Sequence, residues 1–210
     1  MYKAIDLFAG IGGIRLGFGQ AFGDNIEFVF SAEIDKFSCK TYQENFGEDP
    51  LNDIIKINEL DIPSHDILLA GFPCQAFSIS GRRGGFEDTR GTLFFDVARI
   101  LRAKKPKTFL LENVKGLISH DKENTFNVIL NTLKDIGYKV FYKVLNSKDF
   151  GLPQNRERIF IVGFLDKEVD FEFPTGDLRE TKIKDILEHD VDEKYTISDV
   201  AWKGHKSRKE

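Results

Sequence analysis

The sequence predicts an α/β fold with a mostly parallel sheet and an antiparallel hairpin at one edge. Short β-branched and aromatic runs alternate with longer segments of helical spacing over roughly 160 residues, the pattern of a sheet covered by helices on both faces. The last two runs have no helix between them, so they pair as a hairpin. Unusual residues gather just after the runs, where an open α/β sheet binds its ligands.

The elements follow in order. Ala4–Ala9 reads as a strand and leads into the turn Gly10–Gly13. Ile26–Ala32 is the next strand, ending at Glu33–Asp35, and Phe37–Phe46 a helix. Asp66–Phe72 is a strand running into Pro73–Cys74. Leu93, Phe94, Val97, Ile100 and Leu101 share one helical face, and that helix ends before Pro106. Thr108–Glu112 is a strand; Phe126, Val128, Ile129, Leu133 and Ile136 mark a helix closed by Gly137. Val140–Leu145 and Arg158–Phe164 form the edge hairpin. After Phe173 the pattern weakens to a brief helix, Ile183–Leu187, and a polar, frayed end, KGHKSRKE. Residues 1–175 thus read as one domain and 176–210 as a tail.

Composition excludes several classes. Apolar residues make up 41% of the 210 and charged residues 30%, which rules against a disordered or fibrous chain. No apolar run approaches the ~18 residues of a membrane span, and the start lacks a signal peptide. Cys39 and Cys74 stand far apart with no CxxC, against a disulfide framework or a cysteine zinc site; no metal site is expected. The expectation is a cytosolic, reduced protein. Net charge is −4, but residues 74–120 hold nine Lys/Arg against four Asp/Glu, a local excess that can attract a polyanion. For Arg99–Lys107 alone a solvated helix face is the plainer reading.

Four constellations carry chemistry. In DLFAGIGG (Asp6–Gly13), Gly10, Gly12 and Gly13 permit left-handed backbone and close approach to a ligand. Glu33, twenty residues on, can accept ribose hydroxyls, and without a full G-x-G-x-x-G the pair favours a nucleoside cofactor over a dinucleotide. Cys74 follows Pro73 at a strand-to-loop junction amid positive charge, where a thiolate is stabilised as a nucleophile, whereas Cys39 on a helix reads as inert core. The stretch Gly71–Gly91, with glycine hinges and Ser78, Ser80, Arg82, Arg83 and Arg90, reads as a lid for an anionic substrate or, more plainly, as a surface loop. Glu112 ends an apolar strand, where it can serve as a proton donor or as a capping or salt-bridged acid. Arg156 and Arg158 share one face of a strand start, a pair able to bind a carboxylate, phosphate or polarised carbonyl.

The blocks DLFAGIGGIRLGF, GFPCQAFSISG, ENVKG and QNRERIFIVGF, in this order and spacing, resemble the signature blocks of cytosine-5 DNA methyltransferases, especially the bacterial HhaI-type restriction–modification enzymes, over roughly residues 2–175. The resemblance implies a Rossmann-like S-adenosylmethionine-dependent methyltransferase fold. It implies that Phe8, Ala9, Gly10, Ile11 and Gly13 contact S-adenosylmethionine, with Glu33 on its ribose, Ile34, Asp53 and Ile54 around the adenine, and Pro73 and Leu93 lining the pocket. It makes Cys74 the nucleophile, Glu112 the acid on the base and Arg156 and Arg158 the supporting pair. Gln75, Ser78, Ser80, Arg82 and Arg90 match the loop that closes over DNA. The implied chemistry is addition of Cys74 to carbon-6 of a flipped-out cytosine and methylation at carbon-5, with S-adenosylhomocysteine as product.

Two departures stand out. The family places a large aromatic where Ile34 stands, and its pattern continues past Glu210 with a target-recognition region and a final block. The expectation is a catalytic chain acting on double-stranded DNA with a second subunit that supplies recognition; a truncated or degenerate chain is the alternative. Competing readings are an inactive cofactor-binding interaction module and an RNA-directed relative acting on transfer RNA.

Overall fold

Apolar alternation along the strands sends side chains to opposite faces of one sheet, and the helices cover both. In the computed structural model, residues 1–73, 93–176 and 181–207 are described. They fall into two units, Met1–Asn146 with Arg156–Thr175, and Ser147–Asn155 with Gly176–Glu210.

The first unit holds β1 (Tyr2–Leu7), α1 (Gly13–Phe22), β2 (Ile26–Ala32), α2 (Lys36–Phe46), β3 (Ile67–Ala70), α3 (Leu93–Lys104), β4 (Thr108–Val114), α4 (Asn124–Ile136), β5 (Lys139–Asn146) and β6 (Glu157–Phe164). The sheet order is β2-β1-β3-β4-β6-β5. β1, β2, β3 and β4 run parallel, while β6 is antiparallel to both β4 and β5. The expected hairpin therefore exists, with β5 at the edge and β6 inside.

β1 and β3 show why both faces are covered. Ile5, Leu7, Leu68 and Ala70 join Phe94, Val97, Ile100 and Leu101 of α3 and Ile129 and Leu133 of α4 in the main core. Ala4, Ile67 and Leu69 point the other way, against Ile14, Phe18 and Phe22 of α1. Phe109, beside Tyr138 at 4.9 Å between ring centres, leaves no room for a side chain at Gly163, where a Cβ would overlap its ring.

Register fixes the functional end. Leu7 pairs with Ala32 and Ala70, and Ala70 with Leu111. The next residues, Phe8, Glu33 and Gly71, therefore leave the carboxyl ends of three neighbouring strands level with Glu112, which lies within the last paired residues of β4. β1 stops before Ala9 because Phe8 has φ 53°, a left-handed conformation that cannot continue a strand.

Among its described residues the second unit has short turns and one helix, α5 (Asp199–Lys206), capped by Ser198, whose Oγ accepts from the Ala201 N–H at 3.3 Å. Within KGHKSRKE, expected to be frayed, Lys203–Lys206 are helical, because the cap and Asp199 in the first turn start a helix despite the polar composition; residues 208–210 lie outside the described residues. Ile183–Leu187 reduces to a 3-10 turn, Ile183–Asp185. Among the described residues no helix is long and apolar enough to cross a membrane, and no metal-binding cluster is present.

Candidate active site

The glycine turn is built by backbone geometry. Gly10 and Gly12 have φ of 56° and 88°. Gly12 caps α1 and also lies against Phe46, so a Cβ there would overlap that ring. A Cβ at Gly10 or Gly13 would meet nothing within 4 Å, so the turn faces open space that a ligand can fill. Ile11 and Gly13 are exposed; Phe8, Ala9 and Gly10 are half-buried.

Glu33 braces this turn. Its Oε2 accepts from the Gly10 N–H at 2.8 Å, and its Oε1 from the N–H groups of Ile34 and Asp35, each at 2.8 Å. Among the described residues, three N–H groups thus take three of about four acceptor positions on the carboxylate. What remains for a ligand hydroxyl is on Oε2, beside the turn. Ile34 stands exposed next to it. The backbone of Glu33 pairs with Pro50 and Asn52 at 2.9 and 3.0 Å, which brings the following residues, Asp53 and Ile54, to the same end of the sheet. Asp53 is half-buried and its Oδ1 accepts from the Ile55 N–H at 3.2 Å; the Ile54 side chain lies in the core.

Below the turn lies a polar network that the sequence did not announce. Arg15 donates to the Tyr42 hydroxyl at 2.8 Å, pairs with Glu48, and lies over the rings of Phe28, Tyr42 and Phe46. The Ser31 and Tyr42 hydroxyls are 2.7 Å apart. Asp6 pairs in register with Ser31, is 1% exposed, and its Oδ2 has no hydrogen-bond partner. Burial pushes its carboxyl up to about 7, with Arg15 opposing and Glu48 and Glu33 adding to the rise.

The second half of the site forms at the ends of β3 and β4. Glu112 Oε1 lies 3.0 Å from Arg158 Nε, both side chains about one-fifth exposed. Arg158 sits opposite Val114 and Glu112 opposite Phe160, so the pair is diagonal on one face of β4 and β6. A Cβ on Gly71 would lie 3.8 Å from Glu112 Oε2 and 3.9 Å from the Phe8 carbonyl oxygen. The acid and Phe8, which leads into the glycine turn, therefore both lie against Gly71. Arg156 precedes β6, exposed, its backbone N–H donating to Asn146 Oδ1 at 3.1 Å. Asn113, 2% exposed, donates from Nδ2 to the Phe72 carbonyl at 2.8 Å and so holds the residue before Pro73. Its place beside Glu112 was the only sequence signal for that role.

Pro73 is exposed and Leu93 half-buried against the core. Cys74, Gln75, Ser78, Ser80, Arg82 and Arg90 lie outside the described residues. Cys39 is buried on α2, its thiol directed to the Glu33 carbonyl at 3.6 Å, as its inert reading expects. Of the basic stretch after Cys74, Arg82, Arg83 and Arg90 lie outside the described residues, while four cations of Arg99–Lys107 make bonds within the protein. Arg99 bonds to Asp96, Glu59 and Ile54, Lys104 to the Leu60 carbonyl, Lys105 to the Ile136 carbonyl and Lys107 to Asp66. These cations are committed to the protein's own carbonyls and carboxylates.

The model of the C-5 cytosine-specific DNA methylase family matches residues 2–210. The Type II methyltransferase M1.ScrFI of Lactococcus lactis subsp. cremoris is 59% identical over 212 residues, covering 99% of this chain and 54% of that protein. M.SsoII of Shigella sonnei is 58% identical, covering 99% and 55%, and M.HhaI of Haemophilus parahaemolyticus 50% identical, covering 94% and 60%. The chain thus spans little more than half the length of the first two relatives. Among solved structures, a mutant of Spodoptera frugiperda DNMT2 superposes with a TM-score of 0.77 at 24% identity, covering 98% of this chain and 65% of that one. S. pombe Dnmt2 methyltransferase gives 0.76 at 21%, covering 98% and 67%. That likeness is one of fold, the Rossmann-like methyltransferase sheet.

Proposed function

The chain belongs to the C-5 cytosine-specific DNA methylase family, and on that premise we propose that it is the catalytic chain of a DNA (cytosine-5)-methyltransferase of a bacterial, cytoplasmic restriction–modification system. The Type II methyltransferases at 50–59% identity support the substrate class. Residues 1–175 form the catalytic domain, and 176–210 lead towards a target-recognition region.

The residues present fit S-adenosylmethionine. Open space faces Gly10 and Gly13, and Glu33 keeps an acceptor position on Oε2 beside them. Phe8, Ala9, Gly10, Ile11 and Gly13 would hold the amino-acid part, Glu33 the ribose, Ile34, Asp53 and Ile54 the adenine, and Pro73 and Leu93 the remaining wall. When bound, the cofactor supplies an electrophilic methyl group and leaves as S-adenosylhomocysteine.

The chain's own groups handle the base. The Cys74 thiolate forms a bond to carbon-6, and the ring's electron density moves towards carbon-5, which becomes nucleophilic. Glu112 holds a proton at ring nitrogen 3, offsetting the negative charge that develops there, and Arg158 binds the carbonyl oxygen. After methylation a base removes the carbon-5 proton, the carbon–sulfur bond breaks, and the thiolate is released as the ring double bond re-forms. The target must leave the helix for these groups to reach it; Gln75, Ser78, Ser80, Arg82 and Arg90 are assigned to the DNA and Arg156 to support of the pair.

One observation carries this reading: Glu112, paired with Arg158, lies across Gly71 from the Phe8 carbonyl that leads into the glycine turn, so an acid–arginine pair stands next to the strand end that opens the nucleoside cradle. The test is transfer of a labelled methyl group from S-adenosylmethionine to duplex DNA, by the chain alone and with a polypeptide carrying a recognition region. Label in 5-methylcytosine supports the reading. Absence of label under both conditions, or label in transfer RNA instead, overturns it.

A further inference from the structure

We propose that Arg99, which does not belong to the site itself, is a positioning residue for the adenine end of the cofactor, acting through Ile54 and Glu59. The inference rests on the cofactor reading above and adds a residue to it. Residues 53–61 contain only two 3-10 turns, Ile54–Lys56 and Glu59–Asp61, so their placement depends on tethers rather than on a ladder or a long helix. The Ile54 side chain is one tether, buried in the core. The polar tethers come from α3. Arg99 Nη2 donates to the Ile54 carbonyl at 2.6 Å, Nη1 to Glu59 Oε2 at 2.7 Å, and Nε to Asp96 Oδ1 at 2.9 Å. Five residues on, Lys104 Nζ donates to the Leu60 carbonyl at 3.0 Å.

Asp96 fixes the guanidinium on α3, and the other two nitrogens hold both turns. A planar fork can satisfy three acceptors at fixed angles; an ammonium at the same place cannot. The Ile54 carbonyl lies inside the turn that Asp53 itself caps, through Ile55 N–H at 3.2 Å and Lys56 Nζ at 3.1 Å. Without Arg99 that carbonyl keeps the longer bond from the Ile57 N–H at 3.4 Å, so the turn is held more loosely, and with it the Asp53 carboxylate assigned to the adenine. The core face of α3 is made by Phe94, Val97, Ile100 and Leu101, which Arg99 does not complete. Loss of Arg99 should therefore loosen the rim and spare the sheet.

The test uses the 210-residue chain, calorimetry with S-adenosylhomocysteine and with S-inosylhomocysteine (which lacks the adenine amino group), and amide exchange. Arg99→Met should weaken S-adenosylhomocysteine about tenfold, the loss of hydrogen bonds to a charged group. Its preference for the adenine ligand over the inosine one should shrink, and the amides of Ile55 and Lys56 should exchange faster while those of β1 and β3 keep their protection. Arg99→Lys should recover part of the affinity. Should Arg99→Met fail to fold, Glu59→Gln must show a smaller change in the same direction. Unchanged affinity and preference in a folded variant overturn the inference, as does protection lost across the whole sheet. If the unsubstituted chain fails to bind S-adenosylhomocysteine, the cofactor reading itself falls and this inference with it.

Discussion

Asn113 Nδ2 donates to the Phe72 carbonyl at 2.8 Å, tying the end of β4 to the residue two places before Cys74. The same side chain accepts from the Val114 N–H through Oδ1 at 2.8 Å, so both ends of the amide are used inside a buried junction. Asn113→Ala leaves the Phe72 carbonyl without this partner, at a cost of about 1–3 kcal/mol. The expected result is a thermal midpoint lower by about 5 °C, with turnover reduced more than cofactor affinity. An unchanged midpoint removes the anchor role.

Glu33→Gln tests the brace. An amide offers one oxygen where three N–H groups need acceptors on two, and its NH2 faces either Gly10 or Ile34 and Asp35. S-adenosylhomocysteine affinity, measured by calorimetry, should fall at least about tenfold, the order expected for hydrogen bonds to a charged acceptor. Retained affinity means the turn does not depend on the carboxylate.

Gly12→Ala should destabilise the chain by about 2–4 kcal/mol, since φ 88° strains any L side chain and the new methyl overlaps Phe46. Chemical denaturation reads this directly. Gly13→Ala, at a place where a Cβ meets nothing, should cost much less stability and weaken the cofactor instead.

Asp6 makes a signed pH prediction. Burial raises its folded carboxyl from 3.8 to about 7, so between those values the folded state binds the proton and the unfolded state does not. Stability therefore falls as pH rises through that window and levels off above it. Asp6→Asn should flatten the decline, measured as the denaturant midpoint from pH 4 to 8. An equal decline in the variant assigns the effect to other groups.

Much of this architecture was legible because strands buried on both faces are written as unbroken apolar runs: Ile67–Ala70 and Leu110–Leu111 could be placed before any coordinates. Their ends were less so. β1 stops at Leu7 because Phe8 turns left-handed, a backbone property that an aromatic side chain does not advertise. Glu33 and the glycine turn could be paired by spacing, but not the three N–H groups that occupy the carboxylate. Arg99 read as part of a solvated helix face because its partners, Ile54 and Glu59, are some forty residues away. Arg15, Tyr42 and Glu48 were hidden for the same reason: buried pairing across distant segments leaves no periodic trace.

Methyl transfer as proposed passes through a transient bond between the Cys74 sulfur and a cytosine extruded from DNA. A direct measurement incubates the chain, alone and with a polypeptide carrying a recognition region, with S-adenosylmethionine and a duplex containing 5-fluorocytosine, then maps the adduct by peptide mass spectrometry. The carbon-5 fluorine cannot leave as a proton does, so a stable adduct should form on the peptide carrying Cys74, absent in Cys74→Ser and much slower to form in Glu112→Gln. An adduct on another residue, or methylated product formed by Cys74→Ser, contradicts it.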